Sequence, residues 1–223
     1  MPHRAPLHRL DQHALVVALV LIVIWGANFT LQKYLFGLIS PGGFLWARYL
    51  IMPVCALLLM RWRLGRWLPP VPRKDWMHMA WLGIVGHSLH VGLAAYGVHW
   101  STAFSSAVIL ACGPILTLLI LRVQGLERLS LPQMAGVFLA FGGVLLFLSD
   151  KLLGGHWRAG GGDLVLLMAA GLFSYYTVAV KPVMQRHGPV LTMGYSTLLG
   201  GLPVWLLSMP AGLSAPWAAL DFW

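Results

Sequence analysis

The sequence is poor in charged residues and in cysteine. Charged residues make up 9% of the 223 residues, and only six are acidic. Soluble globular domains carry about a quarter charged residues, so this composition excludes a soluble globular domain. The two cysteines, Cys55 and Cys112, lie in apolar runs without the Cys-x-x-Cys or Cys/His spacing of a metal site. We interpret both as packing residues.

Acidic residues are missing from the interior of every long apolar run. All six fall in loops or at the ends of runs: Asp11, Asp75, Glu127, Asp150, Asp163 and Asp221. The sequence therefore predicts no buried carboxylate that could relay protons. It also predicts no metal or other cofactor, because two neighbouring histidines without a carboxylate or cysteine make a poor metal site.

Apolar residues dominate what is present. They make up 59% of the chain, and the mean hydropathy is +0.77. A bilayer core of about 30 Å is crossed by roughly 20 apolar residues in a helix. Seven runs of that length predict an all-α, polytopic membrane protein with seven transmembrane helices, at about 14–35, 43–61, 76–98, 102–121, 131–149, 163–184 and 190–209.

The net charge of +9 is divided among the gaps between these runs. A phosphate-binding surface needs contiguous basic residues, so nucleic acid is not a predicted partner, whereas a lipid bilayer is. Eleven of the fifteen basic residues fall on one predicted side. The positive-inside rule then predicts a multi-pass protein of the inner (plasma) membrane with a cytoplasmic N-terminus.

Part of the chain repeats. The run opening at Ala14 contains Lys33 and is followed by Pro41, and 148 positions later another run contains Lys181 and is followed by Pro189. We predict a first repeat of five helices at 14–149 and the first two helices of a second repeat at 163–223. Because five is odd, the two repeats would be inverted relative to each other, as in many transporters.

Several motifs resemble those of the EamA-like transporters of the drug/metabolite transporter superfamily. They are Trp25-Gly26-Ala27-Asn28-Phe29, Trp46-Ala47-Arg48-Tyr49, Pro114, Gly125-Leu126-Glu127-Arg128-Leu129-Ser130, Gln133 with Gly136, Gly142-Gly143-Val144, and Gly162-Asp163-Leu164 with Tyr176 and Lys181. The resemblance implies ten helices in two inverted five-helix repeats and a secondary transporter, an exporter rather than an enzyme, of small metabolites, amino acids or drugs. Helices 8 to 10 would be absent here, so a truncated reading frame or fragment is the simplest interpretation.

Polar residues within the runs are candidates for the substrate pathway because such side chains usually face the bundle interior. Trp25, Asn28 and Gln32 share a helix face and either bind a small polar substrate or bond neighbouring helices. Arg48 either attracts an anionic group or anchors the helix end. Ser106 lies on a lightly polar face of the fourth run, and Tyr176 lies among the polar residues of the sixth run. Both are candidates for the pathway.

Two histidines, His87 and His90, lie one turn apart near the middle of the third run. They either couple protons to transport or form hydrogen bonds as neutral groups within the bundle. Pro114 predicts a kink in the fourth run, with a gating role as an alternative to a structural one. Close helix contacts are predicted at the small residues Gly83, Gly86, Gly92, Gly136, Gly142 and Gly143.

Three functions therefore remain open. The first is a secondary transporter with a small-molecule substrate. The second is a histidine-based membrane enzyme or haem protein. The third is a non-transporting fragment or assembly partner, which carries no flux unless helices 8 to 10 are supplied from another chain. The possible partners are a second copy in a homodimer or the missing C-terminal helices.

Overall fold

The fold consists of long helices. The computed structural model describes residues 7–128, 130–153 and 157–220. Within them, helical segments follow all seven predicted runs, which confirms the all-α fold. They are α1 (Leu7–Leu35), α2 (Pro41–Leu64), α3 (Arg73–Gly83, a π-helical segment Ile84–Leu89, and His90–Trp100), α4 (Ala103–Ala111 and Gly113–Val123), α5 (Leu131–Leu153), α6 (Trp157–His187) and α7 (Pro189–Leu213), followed by a 3₁₀ turn (Trp217–Leu220).

Five of these helices are long and apolar enough to cross a bilayer, in whole or in part. The spans are Leu15–Leu35, Pro41–Leu64, Ala103–Val123, Gly161–His187 and Pro189–Leu213, and Leu131–Val144 is a shorter apolar helix. At about 1.5 Å per residue, each of the five spans is long enough to cross a hydrocarbon core of about 30 Å. The chain is a multi-pass membrane protein.

Proline begins both α2 and α7. Pro41 occupies the first turn of α2, where the hydroxyl of Ser40 accepts a hydrogen bond from the Gly43 N–H (3.1 Å). Pro189 begins α7 directly after Gly188, whose φ of 78° turns the chain back from α6. The end of α1 contacts the end of α3 through Lys33, and the start of α3 contacts the end of α6 through Asp75, so the bundle has two ends, which we call the Lys33 end and the Asp75 end.

The centre of the bundle is α3. Its first part, Arg73–Gly83, packs on α7, its last part, His90–Trp100, packs on α6, and α2 lies along α7. The α3–α7 crossing is close because two glycines meet: a Cβ on Gly83 would lie 2.9 Å from the Gly200 nitrogen. In contrast, the Leu15–Trp25 part of α1 is largely exposed.

The prediction that glycines mark close helix contacts is correct for two of the three glycines that it names in α3 and wrong for the three glycines in α5. A Cβ on Gly86 would lie 2.7 Å from the ring of Tyr176. Nothing described lies within 4 Å of a Cβ on Gly92 or on the three glycines of α5, which are Gly136, Gly142 and Gly143. The α5 glycines therefore do not mark a close helix contact within the described residues.

Candidate functional site

A buried polar cluster lies where α2, α3, α6 and α7 meet, and we call it the central cluster: Tyr49, His87, Tyr176 and Thr197. The imidazole of His87 lies between two tyrosine rings, with centroids 6.2 Å away in each case and edge-to-face geometry. Its Nε2 is 3.4 Å from the Thr197 hydroxyl. The Tyr49 hydroxyl donates to the backbone carbonyl of His87 (2.9 Å). Four helices thus contribute to one site.

The π-helical segment Ile84–Leu89 presents His87 to this cluster. Single-turn π segments are rare and often occur at functional sites. The Nδ1 atom of His87 is buried and has no hydrogen-bond partner among the described residues. A buried polar atom without a partner is costly, so this nitrogen is available to a ligand or to water.

One turn further along α3, His90 faces α6. Its Nδ1 is 2.8 Å from the backbone carbonyl of Ala169, and its ring packs against Phe173 with centroids 4.8 Å apart. A carbonyl only accepts, so Nδ1 carries the proton, and in the neutral ring Nε2 is left as an acceptor.

Arg48 directly precedes Tyr49 of the central cluster on α2. Its side chain is half-buried, and its Nε donates to the Met52 sulfur one turn along α2 (3.3 Å). Of the predicted pathway residues, the structure places His87 and Tyr176 in contact, with His90 one turn further along α3 and Arg48 next to Tyr49.

The other predicted pathway residues lie elsewhere. Trp25 is 61% exposed on the outer face of α1, Asn28 is half-buried, and Gln32 is buried close to the Lys33 end. The Ser106 hydroxyl donates to the Thr102 carbonyl in the first turn of α4 (2.7 Å). The roles of these four residues in the substrate pathway stay predictions.

The two segments of α4 meet at Cys112, directly before Gly113 and Pro114. The Ser174 hydroxyl of α6 donates to the Gly113 carbonyl at this break (3.0 Å). Because Pro114 has no N–H, it cannot donate to the carbonyl of Leu110 four residues earlier, which accounts for the break at this point. A gating role for Pro114 stays a prediction.

At the Lys33 end one carboxylate, Asp163, is buried, although the sequence predicts all six in loops or at the ends of runs. Asp163 has 0% exposure and accepts a hydrogen bond from the Ser101 hydroxyl. The ammonium group of Lys33 donates to the carbonyls of Val98 (3.0 Å), His99 (2.7 Å) and Ser101. The helix α6 begins at Trp157, before the predicted run, so Asp163 lies inside a helix rather than in a loop.

At the Asp75 end, an ion pair joins the start of α3 to the end of α6. The two carboxylate oxygens of Asp75 lie 2.9 Å from Arg186 and 2.8 Å from His187. The hydrogen bond from His187 and the charge of Arg186 hold the pKa of Asp75 below its usual value of 3.8. With the Ser101–Asp163 contact, α3 and α6 are joined at both ends.

This ion pair predicts a pH-dependent contribution to stability. Because the folded-state pKa of Asp75 is lowered, the contribution is present above the unfolded pKa and is lost as pH falls through the folded pKa. We expect wild type to melt above Asp75→Asn at pH 7, with the difference shrinking as the pH falls below 3.8 and through the lowered pKa of Asp75. Thermal unfolding of the detergent-solubilised proteins measures this. An undiminished difference at pH 3 would contradict it.

A separate apolar cavity of about 270 Å³ lies between α2, α3 and α7. Its lining includes Leu45, Leu89, Gly92 and Leu207, with Ser88 and Ser208 among its few polar groups. Neither Arg48 nor a histidine lines it, so it is distinct from the central cluster.

Tyr49 and Thr197 are site residues that sequence reasoning missed. The offset of 148 positions that matches Pro41 with Pro189 also matches Tyr49 with Thr197. The internal repeat could therefore have identified these two residues as a pair. No group of three or more metal-ligating side chains occurs among the residues that the structure describes.

Comparison with known proteins identifies the family. The EamA-like transporter family model matches residues 12–149. Over 217 residues and 90% of this chain, the sequence is 25% identical to the uncharacterised transporter YyaM of Bacillus subtilis and 25% identical to an uncharacterised transporter of Synechocystis sp.. The alignments cover 68% and 64% of those two proteins, so the chain spans about two thirds of their length.

More distant relatives agree. An uncharacterised transporter of Archaeoglobus fulgidus is 24% identical over 85% of this chain and 65% of its own length. No solved structure gives a significant match to the chain. The apolar helices and the match over residues 12–149 lead to one conclusion: the chain belongs to the EamA-like transporter family.

Proposed function

We propose that this chain is part of a secondary transporter of the inner membrane, with its N-terminus in the cytoplasm, that exports a small metabolite, an amino acid or a drug by alternating access. The observation that carries the proposal is the position of His87 at the meeting point of α2, α3, α6 and α7. Polar side chains deep in a membrane bundle usually mark a substrate or ion path. The central cluster would then lie between the first repeat at 14–149 and the second repeat beginning at 163.

The proposal includes further helices. The relatives are longer than this chain, and a ten-helix pathway would need three more helices, supplied by the same reading frame or by a second copy in a homodimer. Alternating access then consists of the two repeats rocking about the central cluster, and no covalent chemistry is involved.

The proposal predicts that His87→Ala in the full-length protein reduces flux. Losing a buried polar contact costs about 1–2 kcal/mol, which corresponds to about a tenfold slower rate. Counterflow in liposomes with a panel of labelled amino acids and carboxylates measures it, and Asn28→Ala should also reduce flux. The control is His78→Ala, an exposed histidine of the same helix. Unchanged flux in His87→Ala, with normal membrane insertion, would remove the central cluster from the path, and unchanged flux in Asn28→Ala would remove Asn28.

A further inference from the structure

Arg48 is a cation in a membrane helix without a described counter-charge. It lies seven residues after Pro41, about 10 Å along α2 from its start. Three carboxylates have described side chains. Asp75 pairs with Arg186 and His187 at one end, Asp163 bonds Ser101 at the other, and Glu127 is exposed.

The hydrogen-bonding capacity of Arg48 is largely unused. A guanidinium group has five N–H donors in a planar fork, and the one described bond uses Nε with a weak sulfur acceptor. Lys33 is different, because its ammonium group donates to three backbone carbonyls. Arg48 thus keeps the paired donors that suit a two-oxygen anion.

The surroundings of Arg48 also favour an anion. Arg48 is next to Tyr49, whose hydroxyl donates to the His87 carbonyl, and the buried Nδ1 of His87 has no partner among the described residues. A neutral histidine that carries its proton on Nδ1 would offer a further donor. An unpaired cation in low dielectric is expensive, and a bound anion offsets that cost.

We propose that Arg48 binds the anionic group of the transported molecule, so that the substrate class is small organic acids. This inference rests on the proposed function, because it assigns a role within the same pathway. It predicts that the protein binds a carboxylate more tightly than the neutral amide of the same shape. It also predicts that the planar guanidinium group of Arg48 contributes to this preference beyond its charge.

The test uses the full-length protein in nanodiscs of zwitterionic lipid. Tryptophan fluorescence and thermal shift are recorded with glutamate against glutamine, benzoate against benzamide, and inorganic phosphate. We expect at least one acid to bind at least tenfold more tightly than its amide, and Arg48→Gln to lose that preference. Arg48→Lys should retain only part of it. The control is Lys181→Gln, which removes an exposed cation and should bind like wild type.

Three outcomes would overturn the inference. They are no binding of any anion, equal binding of acid and amide, and unchanged acid binding by Arg48→Gln. If Arg48→Gln does not fold, two measurements test the inference in its place. They are the preference of wild type for the acid over the amide and the affinity of Arg48→Lys for the acid. Acid binding that disappears when anionic lipid is added would assign Arg48 to headgroup phosphate instead. Flux that falls in His87→Ala without acid preference would retain the proposed function and reject the anionic substrate.

Discussion

Gly200→Ala should prevent α3 and α7 from packing and should lower the melting temperature more than any other single substitution proposed for this protein. The Cβ of an alanine at position 200 would overlap the backbone of Gly83, and no side-chain rearrangement relieves a clash with backbone. In addition, the Ser88 hydroxyl donates to the Gly200 carbonyl (2.5 Å), so a displaced α7 loses this bond too. Overpacking a tight contact costs about 1–3 kcal/mol, and the lost hydrogen bond adds to it.

The measurement is thermal unfolding together with the monodisperse fraction in size-exclusion chromatography. Gly83→Ala should behave similarly, since its Cβ would meet the same backbone from the other side. The matched control is Gly92→Ala in α3, where nothing described lies within 4 Å and alanine favours the helix. Equal melting of Gly200→Ala and Gly92→Ala would show that the two helices do not cross at these glycines.

Asp163→Ala is expected to give the largest loss outside this glycine crossing. It would leave the buried Ser101 hydroxyl without its carboxylate acceptor, and a hydrogen bond to a charged group contributes about 1.5–3 kcal/mol. Lys33→Met should destabilise to a similar extent, because the last carbonyls of α3 lose a charged donor. The two substitutions affect the same residue, Ser101, so their combined effect should be less than additive.

A double-mutant cycle followed by thermal unfolding tests this coupling. Lys74→Met, which removes an exposed lysine from the first turn of α3, serves as the control and should change stability little. Additive losses from Asp163→Ala and Lys33→Met would mean that the two groups act independently. Wild-type stability of Asp163→Ala would mean that the buried carboxylate has no structural role.

The helices themselves could be predicted because the bilayer imposes their length and apolar composition. The beginnings of α2 and α7 were within two residues of prediction, since proline is favoured in the first turn of a helix and ends a preceding one. The confirmed parts of the fold thus depend on local sequence and on the solvent that surrounds it.

Tertiary partners were less predictable. Asp163 looks like a residue at the end of a span, and its hydrogen bond with Ser101, 62 positions away, depends on how α3 and α6 pack. Glycines look alike in sequence, yet Gly83 meets a backbone and Gly143 meets nothing described, because contact depends on which helix lies opposite. Arg48, His87, His90 and Tyr176 were identified from polarity, but the contact between His87 and Tyr176 depends on how α3 and α6 pack.

The π-helical segment in α3 has a consequence for its two neighbours. An α-helix turns about 100° per residue, and a π segment inserts one extra residue without lengthening the helix by a full step. If the six residues Ile84–Leu89 wound as α-helix instead, His90–Trp100 would therefore be rotated by about 100° relative to Arg73–Gly83. The first part packs on α7 and the last part on α6. The segment thus sets the angle between the face of α3 that packs on α7 and the face of α3 that packs on α6.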